Sequence, residues 1–239
     1  MITENYVLHS PKITCTTKIA FLSDLHGENP QGLERALDAL APDLIIVGGD
    51  LFDRRADNRE ALQLMEVITE NCPCFYTPGN HELYVSDRKE LYATLRNYGM
   101  TILDGKGMPF TTPAGQYLWI SGISISEQLD QLSQPPAEIF HILIYHYPEK
   151  AKACAGRFDL RLAGHEHGGI FRTKRINGLI GHSGLLPKFA GGYYDLEKGC
   201  MIVSRGLSKT CAGLPRLGNP PELVTIKLKP QQAQKEAGQ

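Results

Sequence analysis

The chain is 239 residues long with 42% hydrophobic side chains, which suits one globular domain with a sizeable core. Its 25 basic and 26 acidic residues are spread without a long block of one sign, so bulk charge excludes the electrostatic footprint of an extended nucleic-acid binder. No apolar stretch approaches the ~18 residues of a spanning helix, and no h-region separates Glu4, His9 and Lys12, so the expectation is a cytoplasmic protein without a transmembrane segment.

In chain order, Lys18 to Ser23 reads as a buried strand and Gly32 to Leu40 as a short helix, with Leu33, Ala36, Leu37 and Leu40 on one face. Leu44 to Val47 is the next strand, Arg59 to Thr69 a helix, Cys74 to Thr77 a strand and Lys89 to Tyr98 a helix closed by Gly99. This βαβαβα order predicts parallel strands with right-handed crossovers, and in such sheets ligands gather beyond the carboxyl ends of the strands. The second half is richer in strands: Tyr117 to Ser121, Ile139 to Tyr145, Leu160 to Ala163, Gly192 to Leu196, Met201 to Ser204 and Leu223 to Leu228.

Together these elements predict an α/β protein, a four-layer α/β/β/α sandwich of two mixed β-sheets flanked by helices, in a single domain over residues 1–229. The polar segment 230–239 is expected to fray, and Glu127 to Pro136 reads as a loop. The six cysteines, Cys15, Cys72, Cys74, Cys154, Cys200 and Cys211, lack Cys-x-x-Cys spacing and read as reduced thiols.

Five short motifs stand just past predicted strand ends: Asp24-Leu25-His26, Gly49-Asp50, Gly79-Asn80-His81-Glu82, His146 and Gly164-His165-Glu166-His167. A single Asp-x-His or His-x-His pair carries little weight, since alternate residues of any turn are often polar. Five in this order point to a binuclear metal site. Imidazole nitrogens with carboxylate and amide oxygens, and no thiolate, suit Mn, Fe, Zn, Co or Ni better than Ca.

This series resembles the calcineurin-like metallophosphoesterases, whose pattern Asp-x-His, Gly-Asp, Gly-Asn-His-Glu/Asp, His and Gly-His-x-His is matched at every element across nearly the whole domain. Within that superfamily the chain is most similar to the bacterial YkuE/YaeI-like phosphodiesterases, through Gly164-His165-Glu166-His167-Gly168-Gly169, Ser204-Arg205-Gly206-Leu207 and Pro220-Pro221-Glu222. The resemblance implies two divalent metal ions, with Asp24, His26 and His167 on the first, Asn80, His146 and His165 on the second, and Asp50 bridging both.

It implies His81 as the catalytic histidine rather than a ligand. Gly49-Asp50-Leu51-Phe52-Asp53-Arg54 is similar to the Gly-Asp-x-x-Asp-Arg segment of the superfamily's protein phosphatases, so Asp53 is expected to pair with His81 and keep it protonated, and Arg54 to grip phosphate. The departure is Arg55, where those phosphatases have glycine.

Two divalent ions, two aspartates and a bridging hydroxide leave a charge of about +1 for an anionic substrate. The expected chemistry is phosphodiester hydrolysis by a metal-bridging hydroxide, with His81 serving the leaving oxygen. The alternatives are a phosphomonoesterase or a nucleotide or lipid-linked pyrophosphatase and, in another class, a non-catalytic protein-binding scaffold. The expected partner is a small-molecule or lipid-linked phosphate ester, which leaves room for peripheral membrane contact. Of the other histidines, His141 is expected to be a satisfied core residue, and His182 stands close enough in sequence to the Gly-His-x-His turn to line the pocket. Glu82 and Glu166 read either as hydrogen-bond partners of the ligands or as exposed turn residues. The run Gly184 to Phe189 with Tyr193-Tyr194 is expected to pack onto the core rather than to form a lip for an apolar substrate.

Overall fold

The computed structural model describes residues 1–150, 156–173, 176–211 and 213–231. The reading of Cys154 and most of the frayed tail, 232–239, lie outside the described residues. Sixteen strands occur among them, twelve of which form two six-stranded sheets. The first half contributes β1 (Ile2–Ser10), β2 (Thr17–Leu22), α1 (Leu33–Leu40), β3 (Leu44–Val47), α2 (Arg59–Asn71), β4 (Cys74–Tyr76), α3 (Arg88–Asn97) and β5 (Thr101–Ile102). These strands, joined by the late strand β16 (Glu222–Pro230), give the order β1-β16-β2-β3-β4-β5. Strands β2 to β5 are parallel, as the βαβ rhythm predicts, whereas β16 runs antiparallel to β2, so the sheet is mixed.

The second sheet takes β6 (Lys106–Thr111), β7 (Tyr117–Ile123), β8 (Phe140–Tyr145), β9 (Leu160–Ala163), β12 (Gly192–Asp195) and β13 (Cys200–Val203), in the order β12-β13-β9-β8-β7-β6. It too is mixed: its four central strands are parallel and both edges antiparallel. Two hairpins stand apart, β10 (Ile180–Gly181) with β11 (Gly184–Leu185) and β14 (Thr210–Cys211) with β15 (Leu214–Pro215).

The period-two geometry of a strand sorts the apolar residues into layers. On β2, Ile19 and Phe21 face the second sheet while Ala20 and Leu22 face the helices; on β3, Leu44 and Ile46 alternate with Ile45 and Val47 in the same way. The inter-sheet core adds Phe75, Leu118, Ile120, Ile142, Ile144, Leu160, Leu162 and Ile202. The helical layer inserts Leu33, Leu37, Leu64, Met65, Ile68 and Leu95 against the first sheet. Strands buried on both faces read as unbroken apolar runs, which is why β2, β3 and β8 are legible in sequence.

The outer face of the second sheet is covered among the described residues by Leu129 and Leu132 at a 3-10 turn (Ser126–Gln131) and by Phe158, Phe189 and Tyr194. The expected loop from Glu127 to Pro136 thus carries one ordered turn.

Two long strands escaped the sequence reading. On β1, half-buried Ile2, Glu4, Tyr6 and Leu8 alternate with exposed Thr3, Asn5, Val7 and His9, a pattern diluted by polar residues on the inner side. On β6, Pro109 interrupts the run, which an edge strand tolerates because only one side of it pairs.

Candidate metal centre

The motif residues fall at the carboxyl ends of parallel strands: Asp24 and His26 after β2, Asp50 after β3, Asn80 and His81 after β4, His146 after β8, and His165 and His167 after β9. The two sheets thereby meet at one edge with all seven expected ligands.

Backbone conformation marks the same place. Among the described residues, seven non-glycine residues have positive φ, and five of them are Asp24 (54°), His26 (52°), Asp50 (50°), His165 (76°) and His167 (50°). This left-handed region is sparsely populated for residues with a Cβ and persists where surrounding contacts over-determine it. Those contacts are visible. Asp24 N–H donates to Gly49 O, His26 N–H to Asp50 O, and Ser208 N–H to Asp24 O. His165 N–H donates to Asp24 Oδ1 at 3.0 Å, and His81 N–H to Asp50 Oδ1 at 2.8 Å. Gly49 permits a close approach: a Cβ there would lie 2.7 Å from both Gly79 Cα and His146 Nδ1.

Three groups of potential donors converge among the described residues: Asp24 with His26 and His167, Asp50 with His146 and His165, and, sharing His26 with the first, Asp53 with His81. Asn80 Oδ1 joins the second group, 2.9 Å from His165 Nδ1. Asp50 Oδ2 stands between the first two groups, 3.0 Å from His146 Nε2 and 3.9 Å from His26 Nε2. His26 Nε2 and His167 Nε2 face each other at 3.1 Å.

This donor set fits divalent cations on physical grounds. His146 Nδ1 donates to Gly48 O at 2.8 Å, so Nε2 carries a lone pair toward Asp50. An imidazole lone pair and a carboxylate oxygen at 3.0 Å repel unless a positive charge lies between them. Burial pushes the His146 pKa down, but Asp50, Asp24 and Gly48 O outweigh it and raise it to about 10: the protein holds a proton where a cation suits. The same imidazoles outweigh the effect of burial on Asp50 and hold its carboxyl well below the usual range. Asp24 Oδ2 is buried with no hydrogen-bond partner among the described residues. For His165, burial and the neighbouring imidazoles depress the pKa to about 3, and His167 is also held well below the ordinary value, so both present neutral nitrogens.

His81 and Asp53, expected to pair, lie with Nδ1 3.1 Å from Oδ2, and Asp53 is also 3.4 Å from His26 Nδ1. Burial lowers the His81 pKa, while Asp50 and Asp53 each act to raise it. Arg54 lines the same cavity of about 570 Å³, its guanidinium 5.9 Å from the Tyr84 ring centre; Arg55 and Glu28 line it as well.

Of the two readings of Glu82, the hydrogen-bonding one holds, and three further supporting residues, Ser208, Arg216 and Asn219, were not singled out in sequence. Glu82, left open there, is fully buried and accepts N–H groups from Asp50 (3.0 Å), Phe52 (2.9 Å) and Gly79 (2.7 Å), tying the β3 and β4 loops together. Ser208 Oγ donates to Thr210 O at 2.8 Å and lies 3.3 Å from His167 Nδ1, which Arg216 Nη2 approaches equally closely, so both side chains fix the outer edge of that ring. Arg216 holds that turn by donating to Arg205 O at 2.6 Å and Ser208 Oγ at 3.2 Å. Asn219 Nδ2 donates to His167 O and Gly169 O at 2.7 and 2.6 Å. Such outer contacts are invisible in sequence because loops that are not neighbours in the chain make them.

The Ser204-Arg205-Gly206-Leu207 and Pro220-Pro221-Glu222 motifs prove to be one structural lock. Arg205 pairs with buried Glu222 and lies 3.1 Å from Glu4, holding Gly206 against Asp24, where a Cβ would come within 2.7 Å of the Asp24 Cβ. The expected packing of Gly184 to Phe189 is corrected in part. Phe189 stacks edge-on against Tyr194 at 5.0 Å, but Leu185 and Leu186 are 72% and 61% exposed because the β10–β11 hairpin projects from the sheet.

The family model for calcineurin-like phosphoesterases matches residues 17–169, which hold every motif residue of the centre, and the chain belongs to that family. Among curated proteins it is 31% identical to Phosphodiesterase YaeI of Escherichia coli (strain K12) over 173 residues, 66% of this chain and 63% of that protein. It thus spans less than two thirds of that relative's length. An uncharacterized metallophosphoesterase of Aquifex aeolicus (strain VF5) is 27% identical, with 95% and 91% of the two chains covered. The crystal structure of TT1561 of Thermus thermophilus superposes with a TM-score of 0.49 at 14% identity, covering 79% of this chain and 89% of that one.

Proposed function

We propose that the protein is a phosphodiesterase using two divalent metal ions, held by Asp24, His26 and His167 and by Asn80, His146 and His165, with Asp50 shared. The observation that carries this is the meeting of Asp50 Oδ2, His146 Nε2, His26 Nε2 and His167 Nε2, potential ligand atoms from separate loops that shared cations would hold together. When bound, such ions supply Lewis-acid charge to a phosphoryl group and lower the pKa of water.

The chain's own groups do the rest. His81, oriented by Asp53 and outside the two expected ligand sets, lines the cavity, where its protonated form can donate from Nε2 to the leaving oxygen. Arg54, on the wall of the same cavity, offers a guanidinium to a phosphoryl oxygen. Glu82 and Ser208 keep the ligand loops in place, so binding energy is not spent on arranging them. Diesters are preferred to monoesters because the E. coli relative is named a phosphodiesterase. Retention of the full donor set with His81 argues against a silent binding scaffold.

The test is metal analysis of purified protein together with hydrolysis of chromogenic phosphodiester and monoester compounds, with and without added Mn. Two metals per chain and diester hydrolysis are expected. Fully metallated protein that cleaves neither ester sinks the proposal.

A further inference from the structure

Six of the eight histidines form a continuous arc of rings. The centre-to-centre steps are 4.4 Å from His81 to His26, 4.9 Å to His167, 5.3 Å to His182, 5.1 Å to His165 and 5.2 Å to His146. Four of these are expected ligands. Of the other two, His81 has its ring against His26, whereas His182 lies against His165 and His167, one from each expected ligand set. His182 and His81 line one cavity.

His182 does not arrive there by chance of a surface loop. It opens the two-residue turn of the hairpin in which Ile180 pairs with Leu185 and Gly181 with Gly184. The next residue, Ser183, is clamped by Glu166: its N–H donates to the two carboxylate oxygens at 3.2 and 3.3 Å, and its hydroxyl donates to Oε1. Glu166 is buried and sits between His165 and His167, so the hairpin tip is registered directly to the ligand turn. The backbone must come close for this, since a Cβ on Gly181 would fall 2.2 Å from Glu166 Oε2. The imidazole itself stays exposed at the cavity, with its ring nitrogens available to a ligand.

We propose that His182 is a substrate-contacting residue that hydrogen-bonds the ester group retained on phosphorus, opposite the leaving group served by His81, and that Glu166 and Ser183 are its positioning residues. The proposal rests on the diesterase reading above and deepens it. A phosphodiester has a second ester arm for His182 to meet and a monoester does not, so His182 is a determinant of diester preference.

The experiment compares wild type with His182→Ala, His182→Asn and Ser183→Ala. Readouts are metal content, KM and kcat for bis(p-nitrophenyl) phosphate and p-nitrophenyl phosphate, and calorimetric affinity for dimethyl phosphate and inorganic phosphate. Loss of one hydrogen bond predicts about a tenfold rise in diester KM and dimethyl phosphate Kd for His182→Ala, carried by KM rather than kcat, with inorganic phosphate shifting about twofold or less. His182→Asn, which keeps a donor, restores part of the loss, and Ser183→Ala gives a smaller shift in the same direction.

An unchanged dimethyl phosphate Kd in His182→Ala overturns the inference, as does an equal loss for both phosphates or a loss of metal. If wild type cleaves neither ester, the diesterase reading fails on its own, and the two Kd values still decide whether His182 selects the dialkyl phosphate.

Discussion

At Asp50 the two carboxylate oxygens are committed in different directions: Oδ1 accepts His81 N–H at 2.8 Å, and Oδ2 faces His146 and His26. Asp50→Asn keeps the shape but gives up the negative charge both expected ligand sets share. It is expected to lower turnover on the order of 10²–10³-fold or more, with loss of at least one metal per chain by elemental analysis. His81→Ala separates a different role. Its side chain pairs with Asp53 and lies outside the two expected ligand sets, so the variant is expected to keep its metals and lose roughly 10²–10⁴-fold in kcat; loss of metal instead would make His81 a ligand. The motif residues were legible because chemistry restricts their types. Ser208, Arg216 and Asn219 were not, because hydroxyl, guanidinium and amide groups occur throughout the chain and only folding brings these three against His167.

At the scale of elements, the β3 and β4 loops behave as one unit because Glu82 accepts three of their N–H groups inside the core. Glu82→Ala leaves those donors unsatisfied. The expected cost is roughly 2–4 kcal/mol in denaturant unfolding of the metal-free protein, accompanied by weaker metal binding in titration. Strand β8 carries a second buried polar group, His141, whose Nε2 lies 2.8 Å from Ser121 Oγ. Burial, with a smaller contribution from Lys12, lowers its pKa to about 4. The unfolded chain, with the ordinary value near 6.5, therefore binds the proton first as pH falls. His141 carries no penalty above that value, and stability is lost progressively as pH drops from about 6.5 to about 4. His141→Gln, which keeps a partner for Ser121, is expected to flatten that part of the wild-type stability profile; identical profiles would show that the group does not titrate on unfolding.

Across the whole molecule, the two sheets share one inter-sheet core, and the first sheet is closed by β16, a strand from the far end of the sequence inserted between β1 and β2. Interior strands cannot be removed without exposing ladder groups on both sides. Truncation before Glu222 is expected to abolish cooperative unfolding, whereas a chain ending at Gln231, just past β16, keeps the wild-type melting transition; circular dichroism distinguishes the two. No helix among the described residues is long and apolar enough to cross a membrane.

The sequence by itself determined the parallel βα half, the choice of seven candidate ligands and His81, and the family. Those features rest on local physics: apolar periodicity sets strand and helix, and metal-ligating chemistry admits few residue types. Tertiary structure alone decided the placement of β1 and β16, the burial of Glu82, the Glu166–Ser183 clamp beside His182, and the positive φ at five of the candidate ligands. The reason is that each depends on contacts between segments far apart in the chain. A strained backbone or a buried carboxylate is sustained by neighbours that no local pattern specifies.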